Sequence, residues 1–236
     1  MTFPDYTILD ELIRNALAED VGTGDHTTLA TIPEDARAEA TCRVKSTGVL
    51  AGVSAAQRVF AWYDADLAFT PQMQDGDRMQ PGQTAFTVSG STRSLLTCER
   101  LALNILQRMS GVATATRRVV DVLEGTGCHV LDTRKTAPLL RHLDKWAVQL
   151  GGGVNHRYGL YDMILIKDNH VDYAGGLRPA LERTQAYLQA HSLNLPVVLE
   201  VRTIAEVETA LAAGGFTRLL LDNMTPVQLK KAVKLN

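Results

Sequence analysis

Four short stretches of the 236-residue chain each end in a cluster of ionisable side chains. "HVLDTRKT" brings Asp132, Arg134 and Lys135 after a short apolar run. "DMILIKDNH" ends in Lys167, Asp168, Asn169 and His170, "PVVLEVRT" carries Glu200, and "RLLLDNMT" carries Asp222 and Asn223. Just upstream of the second stretch, "GGGVNHR" adds His156 and Arg157. An Arg guanidinium meets a carboxylate or phosphate through two parallel bonds, while Lys supplies a point charge. Arg134, Lys135, His156, Arg157 and Lys167, with Arg100 as a further candidate, therefore suit a ligand with several negative charges. The physical use of Glu200 and Asp222 is to hold a divalent cation, directly or through water, or to face a developing positive charge. Cations beside acids suit a polyanion with its Mg²⁺. His156 and His170 do not have the spacing of zinc ligands.

The elements between these clusters indicate how they are positioned. Each apolar run fits a strand buried on both faces, as in a parallel sheet. Between the runs, Leu177, Leu181, Thr184 and Leu188 share one helical face. Thr203 with Glu206 fits a capping box for a helix that stops at Gly214-Gly215. Thr225, Pro226 and Gln228 give another start signal. Strand then helix, repeated, means parallel βα units with right-handed crossovers, whose ligand site lies at the C-terminal strand ends. That rule places all four clusters on one rim. One such cluster alone reads as a solvated loop; four in succession read as a site. Gly151, Gly152 and Gly153 suit either a turn or a close backbone approach.

The first hundred residues have a different texture. Leu9, Leu12, Ile13, Ala16 and Leu17 lie at helical spacing, with Thr7 as the cap. The glycines of "EDVGTGDHTT" lack the GKS or GKT of a phosphate loop and read as a turn. "AEATCRVKSTGVLAG", "DLAFTPQM" and "TAFTVSG" are short, turn-bounded and strand-like. Helical pattern returns from Thr97, with Leu101, Ile105, Met109 and Val112 in one stripe. The domain boundary falls at residue 103, giving an N-terminal domain of residues 1–103 and an α/β domain of residues 104–236 that carries the site.

Composition narrows the class. A net charge of -2 gives no global field for nucleic acid. Hydrophobic residues at 45% and charged residues at 21% fit a globular chain with a core. Cys42, Cys98 and Cys128 have no CxxC spacing and read as reduced thiols in a cytoplasmic protein. The N-terminus does not read as a signal peptide, and no run has the length of a membrane helix.

"ERLALN", "DTRKT", "GGGVNHR", "IKDNH" and "LLDN", in this order and spacing, resemble the quinolinate phosphoribosyltransferase family, and "ALAEDVGTGDHTT" is similar as well. The resemblance implies an N-terminal open α/β sandwich and an incomplete parallel α/β barrel of the type II phosphoribosyltransferase kind. It implies that quinolinate and phosphoribosyl pyrophosphate, with Mg²⁺, give nicotinate mononucleotide, pyrophosphate and carbon dioxide in NAD biosynthesis. By the same resemblance, Thr133, Arg134, Lys135, His156, Arg157 and Lys167 line the quinolinate pocket. Arg100 reaches in from the other subunit of a homodimer, while Glu200 and Asp222 face the ribose and the metal-bound pyrophosphate. Lys135, Lys167, Glu200 and Asp222 are the residues implied in catalysis. Family members often have further acids where this chain has Val198 and Arg202, and glycine where it has Leu139. They also continue past the position of Asn236 with a glycine-rich phosphate cradle. The expectation is a truncated chain that keeps the quinolinate part of the site and has weak or no transferase activity. The competing readings are a related pyridine-acid phosphoribosyltransferase and a non-catalytic anion-binding protein.

Overall fold

The computed structural model describes residues 3–235. The chain divides into two compact units, Met1–His156 and Arg157–Asn236. In the first unit, α1 (Tyr6–Val21) buries Leu9, Ile13 and Leu17 along one stripe. Its cap is Asp5, whose carboxylate accepts the backbone N–H groups of Thr7 at 3.0 Å and Ile8 at 3.4 Å. The expected cap, Thr7, lies inside the helix, because Asp5 offers the unpaired N–H groups a full negative charge. Gly22 closes α1 through its N–H to Ala18 O. The glycines of "VGTGDHTT" therefore belong to a turn. Asp25 then caps a further short helix, α2 (His26–Thr31).

Strand β1 (Arg37–Arg43) leads to the short β2 (Gly48–Val49). Next comes α3 (Val53–Tyr63), in the middle of a region that reads as strands only. The Asp75 carboxylate caps α3 from outside, accepting N–H from Gly52 at 2.5 Å, Val53 at 2.8 Å and Ser54 at 3.1 Å. Strands β3 (Ala68–Pro71), β4 (Arg78–Met79) and β5 (Thr84–Ser91) follow. β5 is the centre of an antiparallel sheet in the order β1-β5-β3, and β2 pairs with β4. α4 (Thr92–Val122) is one unbroken helix of 31 residues, starting at its Ser91 cap rather than at Thr97 and passing straight through residue 103. Ser110 Oγ accepts the Ala51 N–H at 3.0 Å and Thr114 Oγ1 accepts the Val49 N–H at 2.9 Å. α5 (Arg141–Leu150) ends the unit. The core joins Leu9 and Ile13 of α1, Val59 of α3, Val88 of β5, Met109 of α4 and Leu143 of α5. Each side chain buried this fully is worth about 1.5–3 kcal/mol.

The second unit alternates strand and helix: β6 (Ile164–Ile166), α6 (Asp168–Ala174), α7 (Leu177–Ala190), β7 (Val197–Val201), α8 (Ile204–Ala213), β8 (Arg218–Leu221) and α9 (Pro226–Leu235). The strands form a parallel sheet in the order β6-β7-β8. Both capping signals operate. Thr203 Oγ1 accepts the Glu206 N–H at 3.1 Å. Thr225 donates its N–H to Gln228 Oε1 at 2.8 Å. Gly214 ends α8 at a φ of 66°, a conformation that favours glycine. Ile164, Ile166, Val197, Leu199, Val201, Leu219 and Leu221 pack with Leu181, Val207, Ala210 and Ala232 of the helices. The fold is α/β in both units.

The fourth expected strand, from "HVLDTRKT", is not part of this sheet. It contributes a single parallel bridge, Leu131 with Val154, in the first unit. Leu131 is 41% exposed, so the segment lacks the two-sided cover that a central parallel strand needs.

Candidate active site

In the first unit a buried network centred on Asp132 lies beside the candidates Thr133, Arg134, Lys135 and His156. Its N–H donates to Val154 O at 3.1 Å, and Val154 N–H donates to Val130 O at 2.8 Å. The Asp132 carboxylate accepts the His156 N–H at 2.8 Å, Asn155 Nδ2 at 2.6 Å and Lys145 Nζ at 2.5 Å. Lys145 Nζ also donates to His156 O at 3.2 Å, and Asn155 Nδ2 to Lys145 O at 2.8 Å. The side chains of this ion pair are only 1% and 6% exposed. The network fixes residues 132–135 beside residues 154–156. Thr133 Oγ1 accepts the Lys135 N–H at 3.0 Å and shapes the turn that carries Arg134 and Lys135. Lys135 is exposed, and Arg134 is half-buried with its Nε buried and without a hydrogen-bond partner. Arg100 is an exposed residue of α4.

Lys145, Asp132 and Asn155 were not among the candidate site residues. A charged residue in a helical pattern reads as solvated, and α5 hides its buried stripe behind His142, Asp144 and Lys145, all less than 9% exposed. The available signal was that "DTRKT" and "GGGVNHR" each place an acid or amide beside a cluster of cations. Each of the three polar residues of α5 holds a different segment. His142 Nε2 accepts the Asp5 N–H at 3.2 Å, and its ring lies 4.9 Å from that of Phe3. Burial pushes the His142 pKa down, and the nearby Asp5 charge opposes this. Asp144 takes Arg108 of α4 in two parallel bonds of 2.7 and 2.8 Å, which raises the Arg108 pKa. Gly151 settles one open reading, because a Cβ there would stand 2.5 Å from Ala113 O of α4. That glycine allows a close backbone approach.

In the second unit the sheet itself positions the site residues. Successive strand side chains alternate between faces. With Val197, Leu199 and Val201 turned to the helices, Val198 and Glu200 turn to the opposite face. Leu220, and two residues on Asp222, join them, as do Leu165 and then Lys167. Glu200 pairs in register with Leu220, and Ile166 with Leu199, so the next step sets Lys167 level with Glu200. The ladder runs on to Asp222, whose N–H donates to Val201 O at 2.9 Å. Lys167, Glu200 and Asp222 thus share one face at the C-terminal strand ends. Among the described residues, none of the three sits in an ion pair. Asn223 Nδ2 donates to Asp222 Oδ2 at 2.7 Å and holds that carboxylate.

The roles of the "KDNH" residues become specific. His170 Nδ1 accepts the Lys167 N–H at 2.9 Å and fixes the backbone of Lys167. Asp168 accepts the Asn169 N–H at 2.7 Å and faces Arg202 at 3.8 Å. Arg202 also approaches Asp172 at 3.7 Å and Glu206 at 3.5 Å. Arg157 Nη1 donates to Met163 O at 3.4 Å. Asp162 clamps the turn after it, accepting the N–H groups of Tyr158 at 2.6 Å and Gly159 at 2.8 Å. Among the described residues no group of three or more His, Cys, Asp or Glu is placed to hold a metal ion. No helix of the described chain is long and apolar enough to cross a membrane.

Two family models cover nearly the whole chain. Residues 25–110 match the N-terminal domain of quinolinate phosphoribosyl transferase and residues 112–236 match its C-terminal domain. The chain belongs to the quinolinate phosphoribosyltransferase family. It is 44% identical, over 92% of its length, to quinolinate phosphoribosyltransferase [decarboxylating] 1b of Nicotiana tabacum. It spans 63% of that relative's length. It is 37% identical to the probable nicotinate-nucleotide pyrophosphorylase [carboxylating] of Bacillus subtilis, covering 96% of this chain and 77% of that one. The crystal structure of NadC from Streptococcus pyogenes is similar with a TM-score of 0.93 at 40% identity, covering 100% of this chain and 82% of the other. The "DTRKT" segment and the His156 backbone are held by the Asp132 network, and the later acids lie on the β6-β7-β8 face.

Proposed function

We propose that the chain serves phosphoribosyl transfer from phosphoribosyl pyrophosphate to quinolinate with decarboxylation. The observation that carries this reading is the pairing of family membership with the buried Arg134 Nε, which has no hydrogen-bond partner. Quinolinate is a dianion, and Arg134 and Lys135 supply positive charge that binds and orients it. The ring nitrogen attacks C1′ of the ribose while the bond to pyrophosphate breaks. Positive charge develops on the ribose, and Glu200 and Asp222 stabilise it. The alkylated, positively charged ring then stabilises the carbanion left as carbon dioxide departs, and a proton takes its place to give nicotinate mononucleotide.

Two carboxylates on one face are hard oxygen donors of the kind that would suit Mg²⁺. Glu200 and Asp222 would hold it, and when bound it neutralises the leaving pyrophosphate. On this reading the protein works as a homodimer, with Arg100 on an exposed turn of α4 offered to the other subunit. Three free thiols, Cys42, Cys98 and Cys128, support a reducing compartment, which we take to be the cytoplasm. Calorimetric titration with quinolinate and with nicotinate tests the reading. Quinolinate should bind at least tenfold tighter, since nicotinate has one carboxylate fewer. Equal affinities would rule this assignment out.

A further inference from the structure

The first unit holds a charged pair that the proposed chemistry does not use. Asp132 lies two residues before Arg134 and three before Lys135, and on sequence alone it is their natural counter-ion. The structure gives it another partner. The carboxylate is spent on Lys145 Nζ, on the His156 N–H and on Asn155 Nδ2, so both of its oxygens are occupied. Among the described residues, neither Arg134 nor Lys135 sits in an ion pair with it, and Arg134 Nε is buried without any partner. Lys145 also reaches His156 O, so the backbone of His156 is held at its N–H by Asp132 and at its C=O by Lys145.

We propose that Asp132 and Lys145 are positioning residues that make the substrate dianion the counter-ion of Arg134 and Lys135. Lys145 neutralises the one carboxylate close enough in sequence to compete for these cations. The pair as a whole is neutral and subtracts nothing from the positive charge offered to the ligand. Its burial makes the arrangement rigid, because neither charge has water to turn to. The same bonds fix His156, so the turn and the histidine are set as one piece. The pair itself touches no reacting atom. A residue with a purely structural task would weaken every ligand alike. This arrangement must weaken a dianion more than a monoanion, because the loss is one of charge.

The inference rests on the quinolinate reading, and the test separates the two. The 236-residue protein is titrated calorimetrically with quinolinate and with nicotinate, as wild type, as Lys145→Gln and as Lys145→Gln/Asp132→Asn, with thermal melts on each. In Lys145→Gln the freed carboxylate competes for Arg134 and Lys135. Quinolinate affinity should fall about tenfold or more, and nicotinate affinity clearly less. The double variant removes both charges and keeps polar atoms at both positions. It should fold and bring quinolinate affinity back to within about threefold of wild type, and it carries the test if the single variant does not fold. A wild type that does not prefer quinolinate overturns both readings. A wild type that does, with a folded Lys145→Gln that binds it equally well, overturns this inference alone. So does a folded double variant that binds quinolinate tenfold more weakly than wild type.

Discussion

The two compact units hold their candidate site residues by opposite means. In the first, Arg134, Lys135 and His156 depend on a buried ion pair whose side chains are 1% and 6% exposed. In the second, Lys167, Glu200 and Asp222 depend on strand register and on local bonds such as that of His170 to the Lys167 backbone. A buried charge is costly to orphan, whereas a carboxylate at a strand end can be neutralised without disturbing the sheet beneath it. Damage in the first unit should therefore reach stability and binding together. Damage in the second should reach chemistry and leave the fold intact.

The sharpest break of this contrast is Lys145→Met, which leaves Asp132 buried and unpaired. It should cost about 3–5 kcal/mol in chemical denaturation. A loss below about 1 kcal/mol would mean that the pair does not hold the first unit together. Glu200→Gln and Asp222→Asn should instead lower the turnover that the wild-type chain supports by roughly 10²–10³-fold, with the melting temperature almost unchanged. Unchanged turnover would remove these acids from the chemistry.

His142 gives an intermediate effect with a defined sign. Its pKa is lowered in the folded protein from the ordinary 6.5. Above that value both states hold it neutral. As pH falls below it, the unfolded chain takes up a proton that the folded chain refuses, and stability drops until the folded pKa is passed. Melts at pH 7.5 and 5.5 should show a smaller difference in His142→Gln than in wild type, and equal differences would exclude His142 as the cause.

Smaller still is Arg202→Ala. Its acidic partners lie at 3.5–3.8 Å and its side chain is 40% exposed, so about 1 kcal/mol or less should be lost. The smallest effect belongs to Leu139, held at a φ of 64° and 93% exposed. Leu139→Gly relieves backbone strain of about 1–2 kcal/mol and costs a similar chain entropy, roughly 0.5–1 kcal/mol. The melting temperature should hold or rise slightly, and a clear fall would show that the leucine packs usefully.

What the sequence made legible was periodic or local. The strands of the second unit, the Thr203 and Thr225 caps and the alternation that sets Glu200 and Asp222 on one face all follow from spacings of a few residues. The resemblance implied a glycine at the position of Leu139, and the positive φ of 64° there is one that favours glycine. Apart from the Asp5 cap of α1, which is local, what escaped depends mainly on contacts distant in sequence. α3 is capped by Asp75, more than twenty residues downstream. α5 was missed because its buried face mixes Leu143, Trp146 and Ala147 with His142, Asp144 and Lys145, and each of these three polar residues has a partner that only folding brings near. The same cause hid Lys145 and Asn155. The run ending in Asp132 looked like its three successors, but one face was left uncovered and it became a bridge.

The three buried polar residues of α5 also bear on how many ways the molecule can pack. A greasy helix tolerates sliding or a turn of rotation, since one aliphatic contact replaces another at little cost. α5 has no such freedom. His142 must meet the amide of Asp5, Asp144 the guanidinium of Arg108 and Lys145 the carboxylate of Asp132. A shift by a single residue would break all three at once. The helix works as a key with three differently cut teeth, and misdocked states of the first unit are excluded by mismatch.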